Sequence, residues 1–307
     1  MADMACAFTV APAEAGQKLL QCLSRRLHAP ESLLHRWIRT GQVRVNGGRR
    51  KPFDRLEEGD EIRLPPFAAS SLPPAPDVPV LPRSAEETLP IIFSSPELIV
   101  VNKPAGLPVH PGTGHADCLT ARLAALFPPE KCPFAPTPIH RLDRDTSGIL
   151  LVARTYTCLQ RLSAAFARRE GLRKEYLAWC AGRWPHRETL LLQDRMQKAG
   201  APNKERMRCG QEGRHAELEA TPVLCLKDAS LLRLVLHTGR THQIRVQLAS
   251  RGFPVIGDAK YGGKAAFPGG TPQEGLLLHA WRLTIEGQVF SAPPPWKGRW
   301  QASAPQD

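Results

Sequence analysis

The 307-residue sequence lacks the spacings that mark metal sites and disulfide frameworks. Its eight cysteines include no C-x-x-C pair, and its ten histidines include no H-E-x-x-H sequence. Cysteines such as Cys158 and Cys225 lie in apolar runs, which favours buried free thiols in a reducing compartment. We therefore expect no metal ion and no disulfide framework.

Long apolar runs and a secretory leader are also missing. No uncharged apolar run approaches the roughly 18–20 residues of a membrane helix. The first sixteen residues lack a basic segment followed by an apolar core. These absences favour a soluble cytoplasmic protein, and hydrophobic residues at 42% exclude a wholly disordered chain.

Acidic residues are the scarce charged class. The chain has 29 Asp and Glu against 41 Lys and Arg, which gives a formal net charge of +12 at pH 7 and a sequence pI of about 9.7. Such an excess of positive charge indicates a polyanionic partner. Nucleic acid is the leading candidate and a membrane surface is the second.

Proline divides the chain into three parts. Seven prolines fall between Pro65 and Pro82, and because proline lacks an N–H group this stretch cannot sustain a helix or a central strand. We expect residues 1–65 to form a small domain, residues 66–90 a semi-rigid extended linker, and residues 91–307 a larger domain. The two domains should then move partly independently.

The pattern in the first domain predicts two helices packed on a small sheet. Gly41 follows the second apolar helical stripe as a stop signal, and Asn46-Gly47 is a strong hairpin signal. The sequence GQVRVNG ending at Gly47 and the sequence LEEGDEI ending at Ile62 are similar to the pattern of the S4 RNA-binding domain. This resemblance implies a small α/β unit that binds RNA.

Positive charge is concentrated in the same unit. Ten Lys and Arg but only two acids, Glu31 and Asp54, lie between Lys18 and Arg55. A solvated surface is one explanation, but because balancing acids are absent we favour a basic face that binds RNA phosphates. The residues predicted to make these contacts are Arg25, Arg26, Arg36, Arg39 and Arg44, with Arg49, Arg50 and Lys51 on the same face.

Strands outnumber helices in residues 91–307, which predicts an α+β domain built on a mixed or antiparallel sheet. Residues 147–154 form a continuous apolar run, typical of a strand buried on both faces. Further strands are predicted at residues 98–104, 174–182, 230–237 and 275–285, and helices at residues 118–127 and 158–170 and before Gly252.

Asp143 belongs to the densest cluster of chemically active residue types. It lies between Arg141 and Arg144, directly before the buried strand, where a loop side chain can face a cleft while the strand holds the loop rigid. From this position alone, a structural ion pair or a strand-entry cap is the favoured explanation.

A second cluster surrounds the predicted turn from strand to helix near residue 240. Arg240, His242 and Arg245 lie together there, an arrangement suited to binding an anion such as phosphate or a carboxylate. Taken alone, this cluster indicates ordinary phosphate recognition.

Together the two clusters resemble the signatures of the RluA-type pseudouridine synthase family. The matching segments are HRLDRDTSGILL at residues 140–151, KEYLAWCAG at 174–182, TGRTHQIRVQLA at 238–249 and GFPVIGDAKYG at 252–262. Residues 101–112 and the Leu-His-Ala sequence at 278–280 match as well. The likeness spans nearly the whole chain in the same order, including the S4-like unit.

This resemblance implies an enzyme that converts uridine in RNA to pseudouridine with neither cofactor nor metal. The N1–C1′ bond breaks, the uracil turns while it is held, and C5 bonds to C1′. Asp143 takes the position of the catalytic aspartate, acting either by covalent attack or by removing a sugar proton. Arg245 matches the arginine that pairs with this carboxylate. Tyr176 matches the active-site tyrosine, and Arg141 the residue that fills the space of an extruded base.

Other motif residues have secondary roles in this interpretation. We expect His140 and Thr146 to orient the loop and Tyr261 to be a packing residue, and Lys103 is a weaker candidate for contact with substrate. The segment after residue 280 is shorter than in many family members and lacks a His-Pro pair, which puts the local hairpin in doubt.

Three functions follow from these patterns. The favoured one is a synthase that acts on structured RNA as a monomer without an obligate protein partner, with ribosomal RNA preferred over tRNA because the S4-like unit offers a second anchor. A non-catalytic RNA-binding or ribosome-assembly factor is the second, and the intact set of Asp143, Tyr176 and Arg245 argues against it. A nuclease or hydrolase is disfavoured because paired carboxylates for metal ions are missing.

Overall fold

The computed structural model describes residues 7–27, 29–66, 68, 89–111, 117–128, 132–200, 206–263 and 275–302. Most of the predicted linker over residues 66–90 lies outside the described residues. Its extended form and the division of the chain into domains therefore stay predictions. No helix in the described ranges is long and apolar enough to cross a membrane.

Two helices and a small antiparallel sheet form the first unit. The strands are β1 (Ala7–Thr9), β2 (Arg44–Val45) and β3 (Glu61–Arg63), in the order β1-β3-β2, and the helices are α1 (Leu19–Arg26) and α2 (Glu31–Thr40). Helix α2 ends at Gly41, whose φ of 72° directs its N–H back to the Ile38 carbonyl. Asn46 and Gly47 both have positive φ in the turn after β2, in agreement with the hairpin signal.

The larger body is built on an 11-stranded sheet. Its strands are β4 (Ile91–Ser94), β5 (Leu98–Lys103), β6 (Thr137–Pro138), β7 (Ser147–Ala153), β8 (Arg173–Ala181), β9 (Leu190–Ala199), β10 (Arg206–Gly210), β11 (Arg214–Cys225), β12 (Ala229–Leu236), β13 (Leu278–Ile285) and β14 (Gln288–Ser291). The helices of this body are α3 (Leu119–Leu126), α4 (Tyr156–Arg168) and α5 (Gln243–Ala249).

The main strand order is β10-β9-β11-β12-β8-β13-β7-β5-β4, with β14 paired to β13 and β6 to β7. The pair β7–β13 is parallel, and the other ladders of the described residues are antiparallel. Every residue of β7 is buried, because helices cover both faces of this central strand. The predicted α+β class with a mixed sheet is confirmed.

Strands β9, β10 and β11 were not predicted from the sequence. Their burial alternates, and charged residues such as Arg195 and Glu217 occupy the outward positions. Without a continuous apolar run, these strands gain their stability from pairing with one another rather than from local hydrophobicity. Cys225, at the end of β11, is exposed, so the expectation that it is buried was wrong.

The hairpin that the sequence left in doubt is present. Strands β13 and β14 pair from Arg282–Ser291 to Ile285–Gln288. Glu286 and Gly287 both have positive φ in the two-residue turn between them. A short loop of this type needs no His-Pro pair to close.

Helix α1 contacts the body through polar and aromatic side chains. The Arg25 guanidinium lies 4.6 Å from the centre of the Phe134 ring, and the Tyr156 hydroxyl donates to Gln21 Oε1 at 3.2 Å. Gln160 in turn donates to the Tyr156 oxygen at 2.9 Å. These contacts oppose the partly independent motion that was expected from the linker.

Candidate active site

Asp143 and Arg245 meet at the floor of a cleft. Asp143 lies on the loop between β6 and β7, where the Thr146 N–H donates to its carbonyl at 3.1 Å and closes a tight turn. Arg245 projects from α5, and its Nη1 lies 3.6 Å from Asp143 Oδ2. The Asp143 side chain remains 24% exposed and the Arg245 side chain 8%, so the carboxylate is accessible and its partner is shielded. The structure therefore places the two side chains side by side, as the resemblance implied.

Asp258 fixes the guanidinium of Arg245. Its two oxygens accept hydrogen bonds from Arg245 Nε and Nη2, each at 2.8 Å, and Asp258 itself is buried. Burial acts to lower the pKa of Arg245, but its bonds to Asp258 and the charge of Asp143 outweigh that effect and raise the pKa. Because Nε and Nη2 are occupied, Nη1 is the nitrogen that faces Asp143. The sequence pattern did not indicate this role, although Asp258 lies in the motif segment at residues 252–262.

His242 is the second basic group beside Asp143. Its Nε2 lies 3.9 Å from Asp143 Oδ2, and its Nδ1 lies 2.6 Å from the Tyr261 hydroxyl. Burial lowers the pKa of His242, and the charges of Arg245 and Lys260 act in the same direction against the attraction of Asp143. The imidazole is therefore neutral at pH 7.

Tyr261 does more than pack. Its ring centre lies 5.2 Å from the Arg245 guanidinium, and its oxygen accepts from the Met207 N–H at 3.3 Å as well as meeting His242. The expectation that Tyr261 only packs was incomplete. The ring of a tyrosine can pack while its hydroxyl forms hydrogen bonds.

Lys103 is buried and does not face the cleft, so the weaker expectation that it touches substrate was wrong. Its Nζ donates to the carbonyls of Pro104, Leu107 and Arg144 at 2.8–2.9 Å. Burial lowers its pKa to about 8. The bond to Arg144 fastens the Asp143 loop to the end of β5, so Lys103 acts on the geometry of the cleft.

His140 holds the other side of the Asp143 loop. Its Nε2 accepts from the Leu151 N–H at 3.1 Å, and its ring stacks on Phe166 with centres 4.9 Å apart. Burial lowers its pKa to about 3, so it stays neutral and keeps the acceptor that this bond needs. These contacts support the loop-orienting role expected for His140.

The end of the loop is fastened where β7 and β13 meet. The Ser147 hydroxyl donates to His279 Nδ1 at 2.8 Å, and His279 Nε2 donates to the Ala292 carbonyl at 2.9 Å. Gly148 has a φ of 114°, and a Cβ at this position would overlap the backbone of Ala280. The close approach of the two strands therefore requires glycine here.

The cleft around Asp143 comprises two adjoining cavities of about 910 and 380 Å³. Arg141, Asp143, His242 and Arg245 line both of them. Tyr176 lines the smaller cavity, where burial and the charge of Asp143 raise the pKa of its hydroxyl. The phenol is therefore protonated at neutral pH and available as a hydrogen-bond donor.

Lys174 adds a cation to the smaller cavity. Burial lowers its pKa to about 8, and the charge of Arg169 acts in the same direction.

No group of three His, Cys, Asp or Glu side chains suited to a metal ion occurs within the described residues. The structure thus brings the four predicted active-site residues, Arg141, Asp143, Tyr176 and Arg245, to one cleft.

The predicted basic face of the first unit is divided in the structure. Arg26 pairs with Glu14 and lies over the Phe8 ring, Arg25 lies over Phe134, and Arg44 donates to the Gly41 carbonyl at 2.8 Å. The remaining basic residues share a separate surface pocket of about 620 Å³, which we call the basic pocket. It is lined by Arg36, Arg39, Arg49, Arg50 and Lys51.

Comparison with known proteins gives one consistent result. The family model described as RNA pseudouridylate synthase matches residues 97–250. The protein named ribosomal large subunit pseudouridine synthase C of Salmonella typhi is 35% identical over 276 residues, which cover 88% of this chain and 85% of that protein. The protein of the same name from Escherichia coli K12 is 35% identical over 291 residues, 92% of this chain and 90% of that protein.

Solved structures support the fold. The human RNA pseudouridylate synthase domain containing 1 structure superimposes with a TM-score of 0.55 at 24% identity, covering 70% of this chain and 87% of that chain. The structure titled human RNA pseudouridylate synthase domain containing 4 gives a TM-score of 0.54 at 22% identity, covering 67% and 88%.

Proposed function

The chain belongs to the RNA pseudouridylate synthase family, and we propose that it isomerises uridine in large-subunit ribosomal RNA with Asp143 as its catalytic residue. The observation that carries the role of Asp143 is its contact with Arg245, 3.6 Å apart at the floor of an open cleft. Relatives covering most of the chain act, by their names, on the large ribosomal subunit, which supports this substrate class.

The reaction needs no co-reactant because it is an isomerisation. The N1–C1′ bond breaks, the uracil turns, C5 bonds to C1′, the proton on C5 is lost, and N1 ends with a proton. A carboxylate beside the sugar can assist by bonding to carbon or by taking a proton from the sugar, and Asp143 supplies that carboxylate. The Arg245 guanidinium stabilises the negative charge of the Asp143 carboxylate before it reacts.

A detached uracil has to be held while it turns. Tyr176 lines the smaller cavity and is protonated, so its ring provides a stacking surface and its hydroxyl a donor. Arg141 is exposed at the edge of both cavities, a position from which its side chain would replace an extruded base.

Extrusion of a stacked nucleotide costs roughly a few kcal/mol. Contacts between Lys or Arg and the flanking phosphates offset this cost without selecting a sequence. The basic pocket, with Arg36 and Arg39, is the surface of the first unit best placed for such contacts, because none of its Arg or Lys side chains forms an ion pair with a carboxylate in the part of the chain that the structure describes. The proposal includes that the protein acts as a monomer in the cytoplasm, where it would meet its RNA substrate.

The direct test measures isomerisation. In-vitro transcribed large-subunit ribosomal RNA carrying tritium at C5 of uridine releases that tritium to water when C5 forms its new bond to C1′. We expect release by the wild-type protein and a loss of at least about 1,000-fold for Asp143→Asn, with RNA affinity within about threefold of wild type. Full activity of Asp143→Asn would reject the catalytic role, and RNA binding without any tritium release by the wild type would favour a non-catalytic RNA-binding factor.

A further inference from the structure

Building on the proposed function, we propose that His242 is a positioning residue for Asp143, and that Tyr261 holds it as the tautomer with its proton on Nε2. The arrangement is a chain of three side chains, Tyr261, His242 and Asp143, that ends on the catalytic carboxylate. The contacts are 2.6 Å between the Tyr261 hydroxyl and His242 Nδ1 and 3.9 Å between His242 Nε2 and Asp143 Oδ2.

The tautomer follows from the donors around Tyr261. The Met207 N–H points to the Tyr261 oxygen at 3.3 Å, so that oxygen is an acceptor toward the backbone and its own proton is free. The short contact with His242 Nδ1 is then made by the Tyr261 hydroxyl as donor. Because the imidazole is neutral, its single proton resides on Nε2, which faces Asp143.

The backbone conformation of His242 supports a functional role for this residue. Its φ of 55° and ψ of 26° put it in the left-handed region, which histidine adopts infrequently. Such conformations persist where surrounding structure enforces them, and they concentrate at functional sites. Here the enforced residue lies directly before α5, the helix that carries Arg245, and it lines both cavities of the cleft.

His242 and Arg245 approach the same oxygen of Asp143. The shortest contact of each ends on Oδ2, at 3.9 Å and 3.6 Å. Both distances exceed a typical N–H···O hydrogen bond by about 1 Å or less, so each donor lies close to hydrogen-bonding range. Neither carboxylate oxygen accepts a hydrogen bond from the side chains of the described residues, and the closest contacts of His242 and Arg245 both end on Oδ2 rather than Oδ1. The inference is that His242 and Arg245 together hold Oδ2 and present Oδ1 to the nucleoside.

The experiment compares His242→Asn, Tyr261→Phe and the double variant with wild type, using the tritium-release assay on large-subunit ribosomal RNA. Asparagine is chosen because it tolerates the left-handed backbone. His186→Asn, an exposed histidine outside the cleft, is the matched control. We expect the single-turnover rate of His242→Asn to fall about 10- to 100-fold, as for a lost hydrogen bond to a charged group, with KM within about twofold.

Tyr261→Phe keeps the ring beside Arg245 and removes only the hydroxyl, so we expect a fall of about 3- to 10-fold. Since Tyr261 acts through His242, the double variant should be no slower than His242→Asn alone. Rates that multiply in the double variant, an unchanged rate for His242→Asn, or a rise in KM without a slower single turnover would overturn the proposal.

Nitrogen NMR of the ¹⁵N-histidine-labelled wild type gives a second measurement that does not require the variants to fold. We expect a neutral His242 ring with its proton on Nε2, whereas a proton on Nδ1 or a charged ring at pH 7 overturns the tautomer. If the wild type releases no tritium, the proposed function fails, while the NMR result still decides how His242 faces Asp143.

Discussion

Asp258 accepts two hydrogen bonds from the Arg245 guanidinium, each 2.8 Å long, and thereby determines which nitrogen of Arg245 faces the Asp143 carboxylate. Asp258 also accepts from the N–H groups of Lys260 and Tyr261 at 2.9 and 3.0 Å, so its own orientation is fixed by the backbone. The active-site cation is thus aimed by a buried anion behind it. The position of the positive charge beside Asp143 therefore depends on Asp258, which contacts Arg245 rather than Asp143 itself.

The first prediction concerns this buried pair. Asp258→Asn should lower the free energy of unfolding by about 3–5 kcal/mol, because it leaves the Arg245 charge buried without its partner. The surviving folded enzyme should have a single-turnover rate about 10- to 100-fold below wild type, because Arg245 is no longer aimed. Urea unfolding and the tritium-release assay measure these effects. Asp228→Asn is the matched control, since Asp228 pairs with Arg299 at 2.9 Å on the surface, where loss of an ion pair changes stability far less. Equal effects of the two substitutions would contradict the aiming role.

The second prediction concerns Lys103. Lys103→Met keeps the aliphatic stem but removes three hydrogen bonds to carbonyls. The free energy of unfolding should therefore fall by about 2–4 kcal/mol. Hydrogen exchange should rise in the loops at Leu107 and Arg144, which this ammonium joins. Lys227→Met, an exposed lysine, serves as the control. Unaltered exchange in both loops would show that Lys103 does not fasten them.

The third prediction concerns the basic pocket. Arg36→Gln combined with Arg39→Gln should weaken RNA binding and reduce the slope of log affinity against log salt by about 1–2, because each phosphate contact contributes somewhat less than one to that slope. The single-turnover rate at saturating RNA should stay near wild type. A control that removes the same charge elsewhere is Arg161→Gln with Arg299→Gln, since both arginines pair with carboxylates. If both double variants change the slope equally, net charge rather than the basic pocket binds the RNA.

The fourth prediction concerns pH and His279. Burial lowers the pKa of His279 to about 4 from an ordinary value of 6.5. The unfolded chain therefore takes up a proton first as the pH falls, and the stability contributed by neutral His279 is complete above pH 6.5 and lost progressively toward pH 4. The full effect amounts to about 3 kcal/mol. Urea unfolding from pH 7 to 4.5 should show a smaller pH dependence for His279→Gln than for wild type, whatever its stability at pH 7. Identical pH slopes would exclude His279 as a titrating group.

Local signals determined a large part of the fold. The uninterrupted apolar run of β7, the stop at Gly41 and the Asn46-Gly47 turn are local choices of the backbone, and each agrees with the structure. The strands β9 to β11 escaped prediction because their residues alternate around charged positions, and their pairing partners, rather than their own sequence, stabilise them.

The sequence by itself determined the family and the mixed α+β class, and it singled out Asp143, Tyr176 and Arg245 as the proposed active-site residues, because ordered motifs specify residue types at fixed spacing. Only the tertiary structure decided that Asp258 orients Arg245 and that Lys103 is buried and joins two loops. It also decided that Arg26 forms an ion pair with Glu14. These relationships join residues that are distant in the chain or on separate elements. Which charges meet is settled only when strands and helices pack, since the energy of a charge depends on its burial and its neighbours rather than on its place in the sequence.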